Sequence, residues 1–449
     1  MEEIFNNGIT PKKYTGFIMP SIVMTVVLGL YYAIDTLLVA AYTGDQALAT
    51  LSLTYPVSGM MWGISVMLAA GSSAIVAMKM GMGRDREANE KFTLICIVSV
   101  VLSLLLIILA MIFMDQIIVF LGATRSLEDL CGRYLRIAVW GCPGAFLGVI
   151  FEYYIRVDGR PGFTLFLYLV SGGAHIAAAW ILMGVFGWGI EAAAVGSVVG
   201  LSLTAIIGLI YFIVFDTKLK FVRPQLDWNY ILHTVTNGSS EFVTEASDGI
   251  ATYFFNILMM RLAGPDGVAA LSVAFSIHYF VLSIHIGYIT GLAPLISYYY
   301  GAQKFDKVDT FLRYSRNYMI ASAAIITAVF FFGAPYIVQL FESPGSSVYE
   351  MSVTGMRLLA PSFLFSGLTI FGSGFFTAYG NGVISALISL SRGLIALIAF
   401  VYLLTAFWGT AGLWLSTFAA EAVTAAMTAL LIYKYRDRYK YSFTKTRSR

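Results

Sequence analysis

Charge is what this 449-residue chain has least of: Asp, Glu, Lys and Arg make up 12% of it, about half the share in an ordinary soluble domain. So little charge cannot coat a water-facing surface around a chain that is 59% apolar. Neither sign dominates, since 28 Lys and Arg face 25 Asp and Glu for a net charge of +3, and no nucleic-acid partner is expected. Cysteine is equally scarce, and Cys96, Cys131 and Cys142 have neither metal-ligand nor redox spacing. The four histidines, His175, His233, His278 and His285, are scattered. No Walker phosphate loop, His-Glu-x-x-His or nucleophile elbow occurs. No cofactor, no metal centre and no enzymatic activity are expected, and any transport would have to run on an ion gradient.

What the chain does have is long apolar runs, each sufficient for the roughly 20 helical residues that cross a hydrocarbon core about 30 Å thick. Between Lys13 and Lys79 only Asp35 and Asp45 are ionised. With Gly, Pro and charge clusters as punctuation, helices are expected near 14–42, 50–80, 92–120, 133–156, 163–186 and 190–215, then near 238–262, 268–300, 316–341, 354–378, 383–405 and 410–434. The fold class is therefore an all-α polytopic membrane protein with 12 transmembrane helices. The N-terminus begins Met1-Glu2-Glu3 and its apolar run outlasts a signal peptide, so the first helix is expected to stay. Of the 28 Lys and Arg, 22 fall on one side of this topology, the side of both termini. Basic residues are retained inside the cell, which puts both termini in the cytoplasm and the protein in the cell (inner) membrane.

The two sets of six helices are copies. At an offset of 220, Ala47 to Ser52 matches Gly267 to Ser272, Gly44 matches Gly264, Gly71 matches Gly291 and Gly81 matches Gly301. With one inserted residue Arg136 pairs with Arg357, Gly159 with Gly380 and Phe186 with Phe407. An even number of crossings per copy makes the repeats parallel, a transporter architecture with its substrate site between the halves. The expected organisation is an N-terminal lobe (1–215), a linker (216–237), a C-terminal lobe (238–434) and a basic tail (435–449) that is solvated and touches anionic lipid. Pro20, Pro56, Pro143, Pro294 and Pro361 fall inside expected helices, where each would bend its helix.

An ionisable residue inside a membrane helix points to function. Asp35 has Tyr31 and Tyr32 one turn before it, and its carboxylate could bind a proton or a sodium ion; otherwise it is a helix-end aspartate wetted by the outer loop. Glu241, Glu245 and Asp248 are spaced four and three apart, on one helical face. Three such carboxylates repel one another when ionised, which suits a carrier of protons or a receptor for a cationic substrate. Static pairing with Arg392 or His278 is the alternative. Glu152 and His175 are further candidates, for each of which a structural hydrogen bond is an equal reading. At the repeat offset Asp35 faces Phe255, while Glu245 and Asp248 face Thr25 and Leu28, so the copies differ at their acids.

Ile34-Asp35-Thr36, the run from Ala49 to Pro56, Gly71 through Gly81-x-Gly83-Arg84, Arg156-x-x-Gly159, Phe186 to Ala194, and Tyr300 to Lys304 together give the chain, over nearly its whole length, a resemblance to the multidrug and toxic compound extrusion family. It implies two six-helix lobes forming a V and export of cationic or amphipathic small molecules against protons or sodium. It also implies a cation site on Asp35, at which His175 replaces the family's asparagine, Ala179 its acid and Ser197 its threonine. The incomplete oxygen cage points to protons, and Asp248 lies closest to a seventh-helix acid that some members use. A flippase for lipid-linked oligosaccharide is the alternative in the same superfamily, with a membrane-embedded enzyme more remote. A monomer is expected.

Overall fold

The computed structural model describes Phe5 and residues 8–125 and 127–443, apart from the side chains of Tyr32 and Asp45. Among these residues there are helices and no strand. In chain order the helices are α1 (Pro11–Thr43), α2 (Asp45–Gly81), α3 (Asp85–Ile112), α4 (Met114–Phe120), α5 (Glu128–Ala138), α6 (Cys142–Val157), α7 (Pro161–Trp180) and α8 (Glu191–Val214). There follow α9 (Trp228–Gly301), α10 (Phe305–Phe332), α11 (Ala334–Val338), α12 (Ser347–Leu359), α13 (Phe363–Ala378), α14 (Gly382–Leu390) and α15 (Ala396–Tyr439).

Ten described helical stretches are long and apolar enough to cross a membrane, but two of them, Trp228–Gly301 with 74 residues and Gly382–Tyr439 with 58, are too long for one crossing. At about 1.5 Å per residue the longer would reach roughly 110 Å. Each is broken by a glycine with positive φ, Gly264 (φ 67°) and Gly409 (φ 57°), a backbone that L side chains rarely adopt. Separating the helices at these breaks gives twelve crossings. Most helices start earlier than hydropathy suggests: α9 begins at Trp228, α10 at Phe305 and α12 at Ser347. Their first turns are polar and continue the helix beyond the apolar part.

The chain forms two compact units, Met1–Gly238 and Ser239–Arg449, and the division falls within α9. In the first, α8 packs on α6 and α7, and α1 packs on α7. Small residues permit the closest approaches: a methyl on Gly144 would lie 2.7 Å from the backbone of Leu201, and one on Gly208 would lie 2.5 Å from Phe151 Cβ. Helices in lipid associate through such packing because apolar burial gains nothing there. The second unit repeats the device, with Gly355 against Trp414 and Gly372 against Thr428. Val101, Ile108, Ile213, Ile320, Ile325 and Leu430 stand exposed on the outside, as a lipid-facing surface requires.

The duplication persists in the irregular backbone. A 3-10 turn at Val139–Gly141 recurs at Ala360–Ser362, an offset of 221. Pro143 consequently opens α6 and Pro361 lies in the second turn, whereas Pro20, Pro56 and Pro294 remain inside helices. In each unit an extended segment that follows the last crossing folds back on the basic end. In the first, Lys220 N donates to Asn89 Oδ1 (2.9 Å), Lys218 N to Asp158 Oδ1 (2.9 Å) and Lys91 Nζ to Asp227 Oδ2. In the second, Ser442 N donates to Asp309 Oδ1 (2.6 Å) and Arg316 Nη1 to the Phe443 carbonyl (3.0 Å). The tail through Phe443 is thus docked rather than fully solvated; 444–449 lie outside the described residues.

Candidate functional site

Tyr31, Asp35 and Tyr42 share the face of α1 that meets α7. Gly172 is what lets Tyr31 in: its Cα carries nothing where a methyl would sit 1.9 Å from Tyr31 Cε2, and the Tyr31 hydroxyl reaches the Leu169 carbonyl at 3.4 Å. One turn further along both helices, His175 Nε2 stands 3.2 Å from Asp35 Oδ1, the imidazole donating when the carboxylate is ionised. Both side chains are mostly enclosed, at 20% and 17% exposure. The histidine is held from behind by α8, where a methyl on Gly196 would lie 3.0 Å from the His175 carbonyl and one on Gly200 would lie 2.8 Å from its Cβ. Ser197, between these glycines, is half-buried and makes no described hydrogen bond to Asp35 or His175. Ala179 is fully buried and contributes no polar atom. Tyr134 of α5, absent from the sequence expectations, is buried within electrostatic range of Asp35. Tyr32 is the neighbour whose side chain lies outside the described residues.

Glu152 sits elsewhere in this unit. It is buried, paired with Arg156 one turn on, and accepts a hydrogen bond from the Tyr168 hydroxyl. At the offset of 221 these three positions become Ser373, Thr377 and Ser389. They join Ser385 and Ser240 in a run of hydroxyl contacts, Ser240–Thr377 (3.3 Å), Thr377–Ser385 (2.8 Å), Ser385–Ser373 (2.9 Å) and Ser373–Ser389 (2.9 Å). An ion-paired triad in one unit is replaced by neutral hydroxyls in the other.

In the second unit Glu241, Glu245 and Asp248 lie half-buried along α9. Arg392, which acts electrostatically on Glu241 and Asp248, makes no described hydrogen bond to the stripe. Its Nε donates to Glu421 Oε1 at 2.8 Å, and the Thr369 hydroxyl donates to Glu421 Oε2 at 2.6 Å. Arg392 also interacts electrostatically with Asp248. It occupies a π-helical turn, Ser391–Ile395, a local widening frequent at functional sites. His278 and His285 are enclosed on the same α9 and lie in the field of Arg392. Sequence reasoning missed Glu421; the available signal was its position as the sole carboxylate in the apolar run 410–433. No group of three His, Cys, Asp or Glu side chains that could hold a metal occurs among the described residues.

The family model MatE matches residues 20–181 and 249–403. The chain is 23% identical over 432 residues to the multidrug export protein MepA of Staphylococcus aureus (strain MRSA252), covering 95% of this chain and 94% of that protein. Against the protein of the same name from Staphylococcus haemolyticus it is 22% identical over 435 residues, with the same coverage of 95% and 94%. Among solved structures, a multidrug resistance MATE family transporter of the MOP superfamily in its outward-facing conformation superposes with a TM-score of 0.89 at 20% identity, covering 96% of this chain and 97% of that one. A MOP superfamily transporter from Pyrococcus furiosus, described as having a binding pocket of reverse polarity, gives 0.88 at 20% identity with the same coverage. With the family model spanning well over half its length in two blocks, one per unit, this chain belongs to the MatE family of membrane transporters and is not an enzyme.

Proposed function

We propose that the protein is a secondary active exporter that moves cationic or amphipathic small molecules out of the cell in exchange for protons, by alternating access. The reading rests above all on one observation, the 3.2 Å contact between His175 Nε2 and Asp35 Oδ1. Sodium takes hard oxygen donors, whereas here the carboxylate is offered one imidazole, with the family's second acid replaced by Ala179. Imidazole and carboxylate side by side are both proton acceptors, and histidine is the side chain whose ordinary titration falls nearest neutral pH. Asp35 and His175 carry the proton in this reading, with Tyr31 and Ser197 around them and Tyr32 a further candidate by its place in the sequence. Glu241, Glu245 and Asp248 receive the cationic substrate, and Glu152 is structural. The names of the staphylococcal relatives support multidrug export. The protein acts as a monomer in the cell (inner) membrane, with both termini in the cytoplasm.

Purified protein in proteoliposomes, loaded with a fluorescent organic cation and given separately imposed proton and sodium gradients, tests this. Efflux is expected under the proton gradient alone, and Asp35→Asn should abolish it while the variant still folds. Full efflux by that variant, or efflux that follows only sodium, would overturn the reading.

A further inference from the structure

In the second unit Glu241, Asp248 and Glu421 all interact with one guanidinium, that of Arg392, with Glu245 beside the first two on the same helix, and a single cation cannot satisfy them all. Which acid holds it determines what the others are free to do. Glu421 is 3% exposed, with both oxygens engaged, one by Arg392 Nε at 2.8 Å and the other by the Thr369 hydroxyl at 2.6 Å. The α9 acids are half-buried and have no described ion pair. Distance is not what keeps Arg392 from them. Gly393, the residue after Arg392, packs on Ser247, the residue before Asp248, so closely that a methyl at 393 would stand 2.7 Å from Ser247 Cβ. Arg392 and Asp248 thus belong to adjacent residues of two touching elements.

The local backbone favours Glu421. The π-helical turn Ser391–Ile395 has no counterpart at the matching positions 170–174 of the first unit, which are regular α-helix. Ser391 Oγ lies 3.2 Å from Thr424 Oγ1, on the same helix as Glu421 and less than one turn beyond it. The turn and the Ser391–Thr424 contact set Arg392 against α15, and the Thr369 hydrogen bond holds the Glu421 carboxylate that receives the guanidinium. Planar guanidinium and carboxylate match well in such pairs, and in a weakly polar interior their attraction exceeds that of an exposed pair.

We propose that Glu421 is a positioning residue that withholds Arg392 from Asp248, leaving the α9 acids open to an organic cation. The inference rests on the reading of that stripe as the cation receptor. It adds the specificity device: without Glu421, the protein's own guanidinium occupies the place of the substrate cation. Removing Arg392 leaves no internal competitor, so the two losses have opposite consequences for cation binding, although each breaks the same ion pair.

The test is the dissociation constant of ethidium, a monovalent organic cation, measured by fluorescence on the full-length transporter in lipid nanodiscs. Glu421→Gln should weaken binding tenfold or more. Arg392→Gln should bind at least as tightly as the parent, and the double variant Glu421→Gln with Arg392→Gln should return to within about threefold of it. A merely structural ion pair would give two weakened single variants and no recovery in the double. That pattern, or unchanged binding in Glu421→Gln, overturns the inference. If Glu421→Gln does not fold, Arg392→Gln decides alone, because a tenfold loss of affinity there is incompatible with a withheld competitor. Asp248→Asn separates the two levels. Undiminished ethidium binding in that variant overturns the receptor reading and the inference with it, whereas lost binding there with unchanged binding in Glu421→Gln overturns the inference alone.

Discussion

A single hydrogen atom decides the shape of the Asp35 site. Gly172 is buried against the Tyr31 ring, whereas Gly173, its neighbour on the same helix, has nothing within 4 Å of where a methyl would be. Gly172→Ala must push Tyr31 aside, and overpacking of this kind costs about 1–3 kcal/mol. Tyr31 is one turn from Asp35, so the displacement should also reduce proton-driven efflux. Gly173→Ala should leave efflux unchanged and keep or slightly raise stability, since alanine is the better helix former by about 1 kcal/mol. Thermal unfolding of the two variants in detergent, read by intrinsic fluorescence, checks this; equal melting temperatures would show that Tyr31 moves freely. The sequence offers Asp35 and His175 as separate candidates, because nothing local says that residues 140 positions apart touch. Their contact depends on α1 packing against α7 through Gly172, and a glycine in a membrane helix is too common to announce such a role. Glu421 was hidden differently. Its place as a lone acid in an apolar run marks it, but its partner stays hidden until Arg392, 29 residues earlier, is brought back over it by the chain reversal at Gly409.

Helices and their connections were far more legible than the site, because a membrane crossing declares itself in local composition. The break between the seventh and eighth crossings can be read from Gly264-Pro265-Asp266-Gly267 even though the helical hydrogen-bond pattern runs almost continuously through it. Helix ends were less legible: α3 starts at Asp85, where Asp85 and Glu87 favour the positive end of the helix dipole while lowering the hydropathy. The segment before α9 was legible only as a basic linker, yet it is fastened to α3 and α6. Lys91 and the Tyr230 amide hydrogen-bond to Asp227 and hold its carboxyl below the usual carboxylate range. A carboxyl lowered by folding contributes stability above its unfolded value, near 4, and loses it as pH falls through the lower folded value. The fastening should therefore be insensitive to pH from 5 to 8. Asp227→Asn removes it at every pH in that window, and tryptic cleavage at the exposed Lys218 and Lys220 should become several-fold faster. Equal cleavage rates for parent and variant would mean that the backbone bonds to Asn89 and Asp158 hold the segment by themselves.

For the whole molecule, duplication and charge asymmetry make separate claims. Duplication is visible in the twelve crossings and in matched irregularities such as the turns at Val139–Gly141 and Ala360–Ser362. Orientation rests only on where Lys and Arg gather, because a repeat axis along the membrane normal is satisfied with either face inside, and charge is what assigns the faces. The protein supplies a low background for a direct test, since Cys96, Cys131 and Cys142 are all buried. Ser343, in the acidic connection between α11 and α12, and Lys220, in the segment before α9, are both exposed. With the termini in the cytoplasm, a membrane-impermeant maleimide added to intact cells should label Ser343→Cys and spare Lys220→Cys. Permeabilisation should then expose Lys220→Cys to the reagent, and the parent protein should stay unlabelled throughout. The reverse pattern would invert the topology and leave the direction of a proton-coupled exchange unchanged, because the gradients and the stoichiometry set that direction while the insertion of the protein decides only which loops meet the cytoplasm.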